Sequence, residues 1–420
     1  MREEILKALY DWNPWWEGKF PTELAGISRD HLLDQYMQIP EIKVLEGARR
    51  VGKSTLFYQM IEKILQRDSQ VLYINFEDEI LKKYSLSEIL TVYRQIAPIR
   101  NLFIDEIQNC KEWVPFLRTA YDRKEIPQIW ISGSNASFIK KEFATLLTGR
   151  NIPIQVHPLS FEEYLHFKSI DTSQPFSSQK QNLIQSHFLP YLETGAFPAV
   201  VLRPVLQKEL LMSYFEDFIY KDIASRHEVN LLKIKELGIY LATNSAKTFS
   251  YRGCATALGM HPSTIIDYCS YFYEIFLFQE LYKFDYSLKN QIGSDKKIYI
   301  LDTGLGSAIS FRFSEDLGRM LENCIFNELR RKGEEVYFHK QKYECDFLIK
   351  KELKIIAVIQ VSTTLVSPEV RQRELRGLLE AMEVHQLDKG LILTLEEEGQ
   401  EEHNHKTVTI LPVWKWLLEL

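Results

Sequence analysis

At 420 residues, and with domains of roughly 150 residues as the working size, the chain has length for two or three domains. Hydrophobic residues at 45% and charged residues at 26% supply both cores and surface, which excludes wholesale disorder, a collagen-like repeat and a coiled-coil rod. The net charge of −6 gives no overall attraction to nucleic acid or anionic lipid, so any polyanionic partner has to be held by a local basic patch. The cysteines, Cys110, Cys254, Cys269, Cys324 and Cys345, are scattered, with neither zinc nor disulfide spacing. The opening segment MREEILKALYDWNPWWEGKF lacks the apolar run of a signal peptide, and no stretch reaches the roughly 18 apolar residues of a membrane span. A reducing cytoplasm, with no membrane partner, is the expected address.

Between about residues 40 and 160, five β-rich runs alternate with helix-length segments: Ile42–Leu45, Val71–Phe76, Asn101–Asp105, Gln128–Ser132 and Ile152–Val156. That alternation predicts a doubly wound, parallel α/β sheet. The polar, Ser-rich run Ser169–Gln181 reads as a linker, and Asn182–Val229 as helices broken by the turn Gly195–Pro198. Residues 231–292 suggest two helices, a turn at Gly259–Pro262, a third helix from Ser263 with its hydroxyl as cap, and β-rich Phe276–Phe284, the order of a winged helix-turn-helix. Further strands are expected at Lys297–Ile300, Glu335–His339, Asp346–Lys350, Ile355–Val361 and Gly390–Thr394. The expected division is therefore 1–168, 182–230, 231–292 and 293–420.

Chemistry enters at Gly47-Ala48-Arg49-Arg50-Val51-Gly52-Lys53-Ser54-Thr55, which fits G-x-x-x-x-G-K-[ST] between a predicted strand and helix. Glycines let backbone amides face phosphate, Lys53 neutralises β/γ charge, and Ser54 offers its hydroxyl to Mg²⁺. About fifty residues on, Asn101-Leu-Phe-Ile-Asp105-Glu106 is an apolar strand ending in two acids. Asp105 is expected to hold the Mg²⁺ shell and Glu106 to activate water, which favours hydrolysis over binding alone. If the next strand lies between the loop strand and the acid strand, Ser134 or Asn135 can reach the γ-phosphate or the water; a plain polar turn explains them equally well. Arg150 suits either a surface salt bridge or charge stabilisation in a neighbouring subunit of a homo-oligomer. The fold class follows: α/β, a P-loop NTPase parallel sheet followed by a helical and winged-helix segment and a mixed α/β nuclease-like domain.

The run from GARRVGKST through LFIDEIQ, ISGSNASF, LLTGR and HPLSFEEYL resembles the AAA-type ATPases of bacteria and archaea whose loop carries two arginines before Val-Gly-Lys. In that family a domain of unknown function follows, which YLETGAFPAVV, IYKDIASRH, IYILDTGLG and LENCIFNEL resemble. The likeness covers most of residues 35–362 and implies ATP as the nucleotide.

The third helix of the winged-helix segment offers Ser263, Thr264, Asp267 and Tyr268 to DNA and is otherwise apolar, with modest positive charge from Arg252, Lys283 and Lys289. Packing against neighbouring domains explains it at least as well. Glu322 on a helix, Asp346 on one strand and Gln360-x-Ser362 on the next resemble a restriction-endonuclease-like layout, in which period-two spacing turns two side chains toward a metal. Ser362 stands where a lysine is needed, unless Lys354 moves in, so a degenerate nuclease fold used for binding or scaffolding is favoured. The expected function is a Mg²⁺-dependent ATPase driving a DNA- or partner-binding module; the alternatives are a nucleotide-switched interaction protein with negligible turnover and an ATP-gated DNA nuclease.

Overall fold

The computed structural model describes residues 1–134, 149–173, 177–310 and 316–419. Two compact units emerge, Met1–His157 with Glu274–Phe276, and Pro158–Tyr273 with Leu277–Leu420.

In the first unit, β1 (Ile42–Glu46), β2 (Val71–Asn75), β3 (Asn101–Asp105), β4 (Gln128–Gly133) and β5 (Asn151–Gln155) form one parallel sheet in the order β2-β3-β4-β1-β5. β2 and β3 are buried along their whole length, which is why their sequences run apolar instead of alternating. The doubly wound P-loop sheet expected from the sequence is therefore present, and β4 does lie between the loop strand and the acid strand. The helices Lys53–Leu65, Leu86–Arg94 and Trp113–Asp122 connect the strands; the second starts at a reciprocal cap between Ser85 and Glu88. β2 ends the sheet, but its outer groups are satisfied. Asn13 donates to the Tyr73 carbonyl (2.9 Å) and accepts from the Tyr73 amide (2.7 Å), while the Trp16 indole donates to the Val71 carbonyl (3.1 Å).

Helices dominate the start of the second unit. The cut falls at residues 157/158, ahead of the expected 168, because the helix Phe161–Phe167 packs Phe161 against Phe188 and Tyr191. Within the expected linker, Ser177 caps a helix Ser178–Ser186. Next come β6 (Thr248–Phe249), β7 (Phe278–Tyr282) and β8 (Lys296–Ile300), an antiparallel sheet ordered β6-β8-β7 behind the helices Leu231–Thr243, Tyr251–Leu258 and Pro262–Glu274. The sequence reading put β8 with the last domain, but its ladder is to β7. Ser263 is not the cap expected of it: the third helix starts at Pro262, and the His261 imidazole Nδ1 accepts from the Ser263 amide (3.3 Å).

The C-terminal sheet is mixed. β9 (Glu335–Lys340), β10 (Glu344–Lys351), β11 (Lys354–Val361), β12 (Lys389–Thr394), β13 (Gly399–His403) and β14 (Lys406–Pro412) run in the order β13-β14-β12-β11-β10-β9, with the helix Pro368–Val384 packed on it. β13 has no counterpart in the expected strands, since polar GQEEH carries no strand period, and neither has β14, although its KTVTILP alternates. Two of the sequence motifs prove to be one junction: a Cβ on Gly304 would collide with the Thr194 carbonyl, and Asp302 accepts from the Ala196 (2.6 Å) and Leu305 (2.8 Å) amides. Burial pushes the Asp302 carboxyl up to about 6 against those amides. All five cysteines are free thiols in buried positions. Among the described residues, no helix is long and apolar enough to cross a membrane.

Candidate functional site

The loop between β1 and the helix Lys53–Leu65 is shaped by two glycines. A Cβ on Gly47 would strike the Val156 carbonyl, and Gly52 sits at φ 99° immediately before the helix. Arg50, also left-handed at φ 71°, completes the curl. Buried Lys53 donates to the Gly47 and Ala48 carbonyls, each at 2.9 Å, so its ammonium already lies inside the loop. Arg49 pairs with Glu77 (2.8 Å). Behind the loop, Arg29 donates to the Val51 carbonyl (2.9 Å) and the His157 carbonyl (3.2 Å), a brace that sequence reading missed because it comes from ahead of β1.

At the end of β3 the two acids diverge. Asp105 is buried; Tyr73 donates to its Oδ2 (2.8 Å), Ser132 donates to Oδ1, and the Ser54 hydroxyl lies near enough to the same carboxylate to favour its charged form. Burial and the adjoining Glu106 push the Asp105 carboxyl above the usual range, opposed by these hydroxyls. Glu106 takes a left-handed backbone (φ 51°, ψ 48°), a strained choice for a side-chain-bearing residue, and its amide donates to Ser132 Oγ (3.1 Å). The Glu106 carboxylate then receives Ser134 Oγ (3.3 Å) and Gln108 Nε2, and Gln108 Nε2 also lies 3.2 Å from Ser134 Oγ. Ser132 faces Asp105 because β3 and β4 pair in register, Ile104 beside Ile131.

Of the other expected residues, Thr55 follows Ser54 in the first helical turn, and Asn135 lies outside the described residues. Arg150 Nε donates to Asp122 Oδ1 (2.7 Å), the salt-bridge arrangement within its own chain. The oxygen donors fit Mg²⁺: the Ser54 hydroxyl and the Asp105 carboxylate lie close to one another, and hard oxygen ligands are what that ion takes. Lys53, beside the loop amides, fits a polyphosphate.

The second unit gathers acids differently. Lys297 on β8 extends its buried ammonium between Glu322 (2.8 Å), Glu344 (2.8 Å) and Asp346 (3.0 Å), and Tyr299 donates to Glu322 (2.6 Å). Burial opposes the ammonium charge, but Glu322, Asp346 and Glu344 outweigh it and hold the Lys297 pKa well above its usual value. Burial also pushes the Glu322 carboxyl up to about 7, against the pull of Lys297. Gln360 is not aimed at these acids as a ligand: its Oε1 accepts from the Asp346 amide (3.4 Å) and its Nε2 donates to Glu374 (2.6 Å). Ser362 donates to the Thr364 carbonyl (2.9 Å), and Lys354 begins β11 on the exposed side. The cation that Ser362 does not supply, and that the sequence reading weighs only for Lys354, is Lys297, and a divalent metal does not fit where that ammonium sits. A lysine inside the apolar run KKIYI was the available signal, since a buried charge demands a counter-charge.

Family models match the chain in three segments. Residues 40–165 match the AAA domain, residues 185–316 the domain of unknown function DUF8612, and residues 317–416 the domain of unknown function DUF4143. An uncharacterized protein of Methanocaldococcus jannaschii is 34% identical over 400 residues, covering 90% of this chain and 88% of that protein. An uncharacterized protein of Haemophilus influenzae is 31% identical over 356 residues, covering 80% and 86%. Among solved structures, a RuvB variant of Thermotoga maritima aligns at a TM-score of 0.32 with 12% identity, over 60% of this chain and 89% of that one. DnaA of Aquifex aeolicus bound to AMPPCP aligns at 0.27 with 15% identity, over 57% and 84%.

Proposed function

The chain belongs to the family of AAA-domain proteins in which two domains of unknown function follow the nucleotide core, and on that premise we propose that it binds ATP with Mg²⁺, hydrolyses it, and couples nucleotide state to a partner-binding C-terminal module. The observation that carries this reading is the convergence of Ser54 on Asp105 with Glu106 held alongside by uncharged donors. Lys53 and the loop amides bind the phosphates. Ser54 and Asp105 would hold Mg²⁺, which when bound would supply neutralisation of phosphate charge. Glu106 accepts the proton of the attacking water, a role open to a carboxylate whose neighbours donate hydrogen bonds without neutralising it. Ser134 keeps that carboxylate in place.

Glu106→Gln should leave nucleotide affinity within about twofold and lower steady-state phosphate release at least about 10²-fold. Undiminished turnover in that variant would remove the assignment, and negligible turnover in the unaltered chain would favour a nucleotide-switched interaction protein. A homo-oligomer with Arg150 acting in trans requires the Arg150–Asp122 pair to open, and predicts turnover per subunit that rises with protein concentration.

For the C-terminal module, the order of helices and the β6-β8-β7 sheet support a winged-helix reading. The partner it suits better is a protein. On the third helix Ile266 is 47% exposed next to exposed Asp267, while Tyr268 is buried and its hydroxyl accepts from the Asn230 amide (2.9 Å). DNA remains the competing partner, and stimulation of turnover by single- or double-stranded DNA would favour it. Closure of Glu322 and Asp346 on Lys297 supports a degenerate nuclease-like domain used as scaffold over an ATP-gated nuclease. The five buried thiols suit a reducing cytoplasm.

A further inference from the structure

Gln108 lies two residues beyond Glu106, in a short helical turn after β3, and its amide is used at one end only. Nε2 points at the Glu106 carboxylate and at Ser134 Oγ (3.2 Å). Those contacts fix which end is nitrogen: turned over, the amide would press a carbonyl oxygen against a carboxylate oxygen. The remaining atom, Oε1, is buried and has no hydrogen-bond donor among the described residues. Leaving a buried acceptor without a donor is costly, so its placement calls for a reason.

We propose that Gln108 is a positioning residue for hydrolysis, its Oε1 and the Glu106 carboxylate together accepting the two protons of the attacking water. The proposal rests on the ATPase reading given above. Since Nε2 is bonded to the carboxylate, amide geometry keeps Oε1 within about 4.5 Å of it, a span that a single water bridges by donating to both. A water held by two acceptors has its lone pair turned outward, available for the phosphorus, and one of its protons already on the base. Glu106 alone would fix one proton and leave the molecule free to rotate about that bond. The Nε2 contacts have a separate effect: they set the carboxylate's orientation, with Ser134 as the second point of attachment. The step is ordinary hydrolysis. Water oxygen forms the bond to phosphorus, the bond from phosphorus to the β,γ-bridging oxygen breaks with its electron pair on ADP, and the water proton passes to Glu106.

The test uses the full-length chain with Mg²⁺ and ATP, comparing the unaltered protein, Gln108→Met, Gln108→Ala and Glu106→Gln. Binding of a fluorescent ATP analogue is measured alongside single-turnover hydrolysis and steady-state KM. Methionine keeps the length of the side chain and removes both hydrogen-bonding ends. Both Gln108 variants are expected to bind nucleotide within about twofold of the unaltered chain, keep KM, and lose about 10²-fold in the single-turnover rate, the scale of a misplaced nucleophile. A merely structural role would move affinity and melting temperature together and leave the rate of bound nucleotide alone. Single-turnover rates within about threefold of the unaltered chain in either variant, or a loss matched by an equal loss of affinity, would overturn the proposal. If the unaltered chain hydrolyses ATP, Glu106→Gln does not, and Gln108→Met does, only the Gln108 assignment falls; if the unaltered chain shows no turnover, the ATPase reading falls with it.

Discussion

In the first unit, Asp105 and Glu106 are held by Ser132, Tyr73, Ser134 and Gln108, all uncharged donors, whereas in the second Glu322, Glu344 and Asp346 close on the ammonium of Lys297. Hydroxyls and amides orient a carboxylate and leave its charge in place, so the first cluster keeps its attraction for a divalent cation. An ammonium spends that charge internally. Both units bury a lysine within a strand, and the same contrast returns there. Among the described residues, Lys43 on β1 meets the Gln128 amide oxygen and the Trp130 ring, 5.1 Å from the ring centroid, and burial pulls its pKa down to about 8 against the opposing pull of Glu41. Lys297 has three carboxylates and is pushed the other way. Burial alone therefore does not decide the state of a charged group; its partners do.

The largest effect that would break this contrast is expected from Lys297→Met. Removing the ammonium leaves buried carboxylates without compensation, and the second unit should lose about 3–5 kcal/mol, measured by urea denaturation. Adding Glu322→Gln and Asp346→Asn should restore most of it, because the pair as a whole is close to neutral against uncharged neighbours; no recovery would show that Lys297 stabilises by packing alone. Next in size, Lys53→Ala should weaken ATP binding at least about 10²-fold in calorimetry, because the ammonium that hydrogen bonds to the Gly47 and Ala48 carbonyls hold inside the loop is the charge that meets the phosphates. Lys43→Met should have the opposite sign and stabilise the first unit by about 2 kcal/mol at pH 7. The folded-state pKa is depressed, so the unaltered chain is penalised while Lys43 is charged, below about pH 8, and the penalty fades as pH rises from there toward 10.5. The advantage of methionine should shrink over that window; a gain that stays constant with pH would mean the charge was never costly. The smallest change, about 1 kcal/mol, is expected for Glu344→Gln, whose side chain is 33% exposed and also reaches the surface Lys340.

How much of this could be read beforehand follows the distance over which each feature is built. The phosphate loop and the acid strand are local: a strand, a turn with glycines at Gly47 and Gly52, and a helix, all within consecutive residues. Strand bounds in the first unit therefore came out within a residue or two. Gln108 was invisible as a partner of Glu106 because the contact depends on the left-handed turn at Glu106, which an i to i+2 spacing does not announce. Lys297 was missed for a related reason. Its partners come from a helix and from β10, 25 to 49 residues away, and only the pairing of β8 with β7 turns it toward them. Arg29 and Arg150 show both outcomes for arginine: one braces the loop backbone unseen, the other forms the surface pair that was weighed beside a catalytic role.

The N-terminal arm has a meaning beyond packing. An outer strand with bare amides and carbonyls is a template on which another polypeptide can add a strand. On β2 the inward-turned Asn13 amide imitates a neighbouring strand for one residue, and the Trp15 and Trp16 indoles occupy the carbonyl two residues earlier. The arm thus guards the chain against self-association at the edge opposite β5, and it does so with side chains, which leave no backbone edge of their own to be copied.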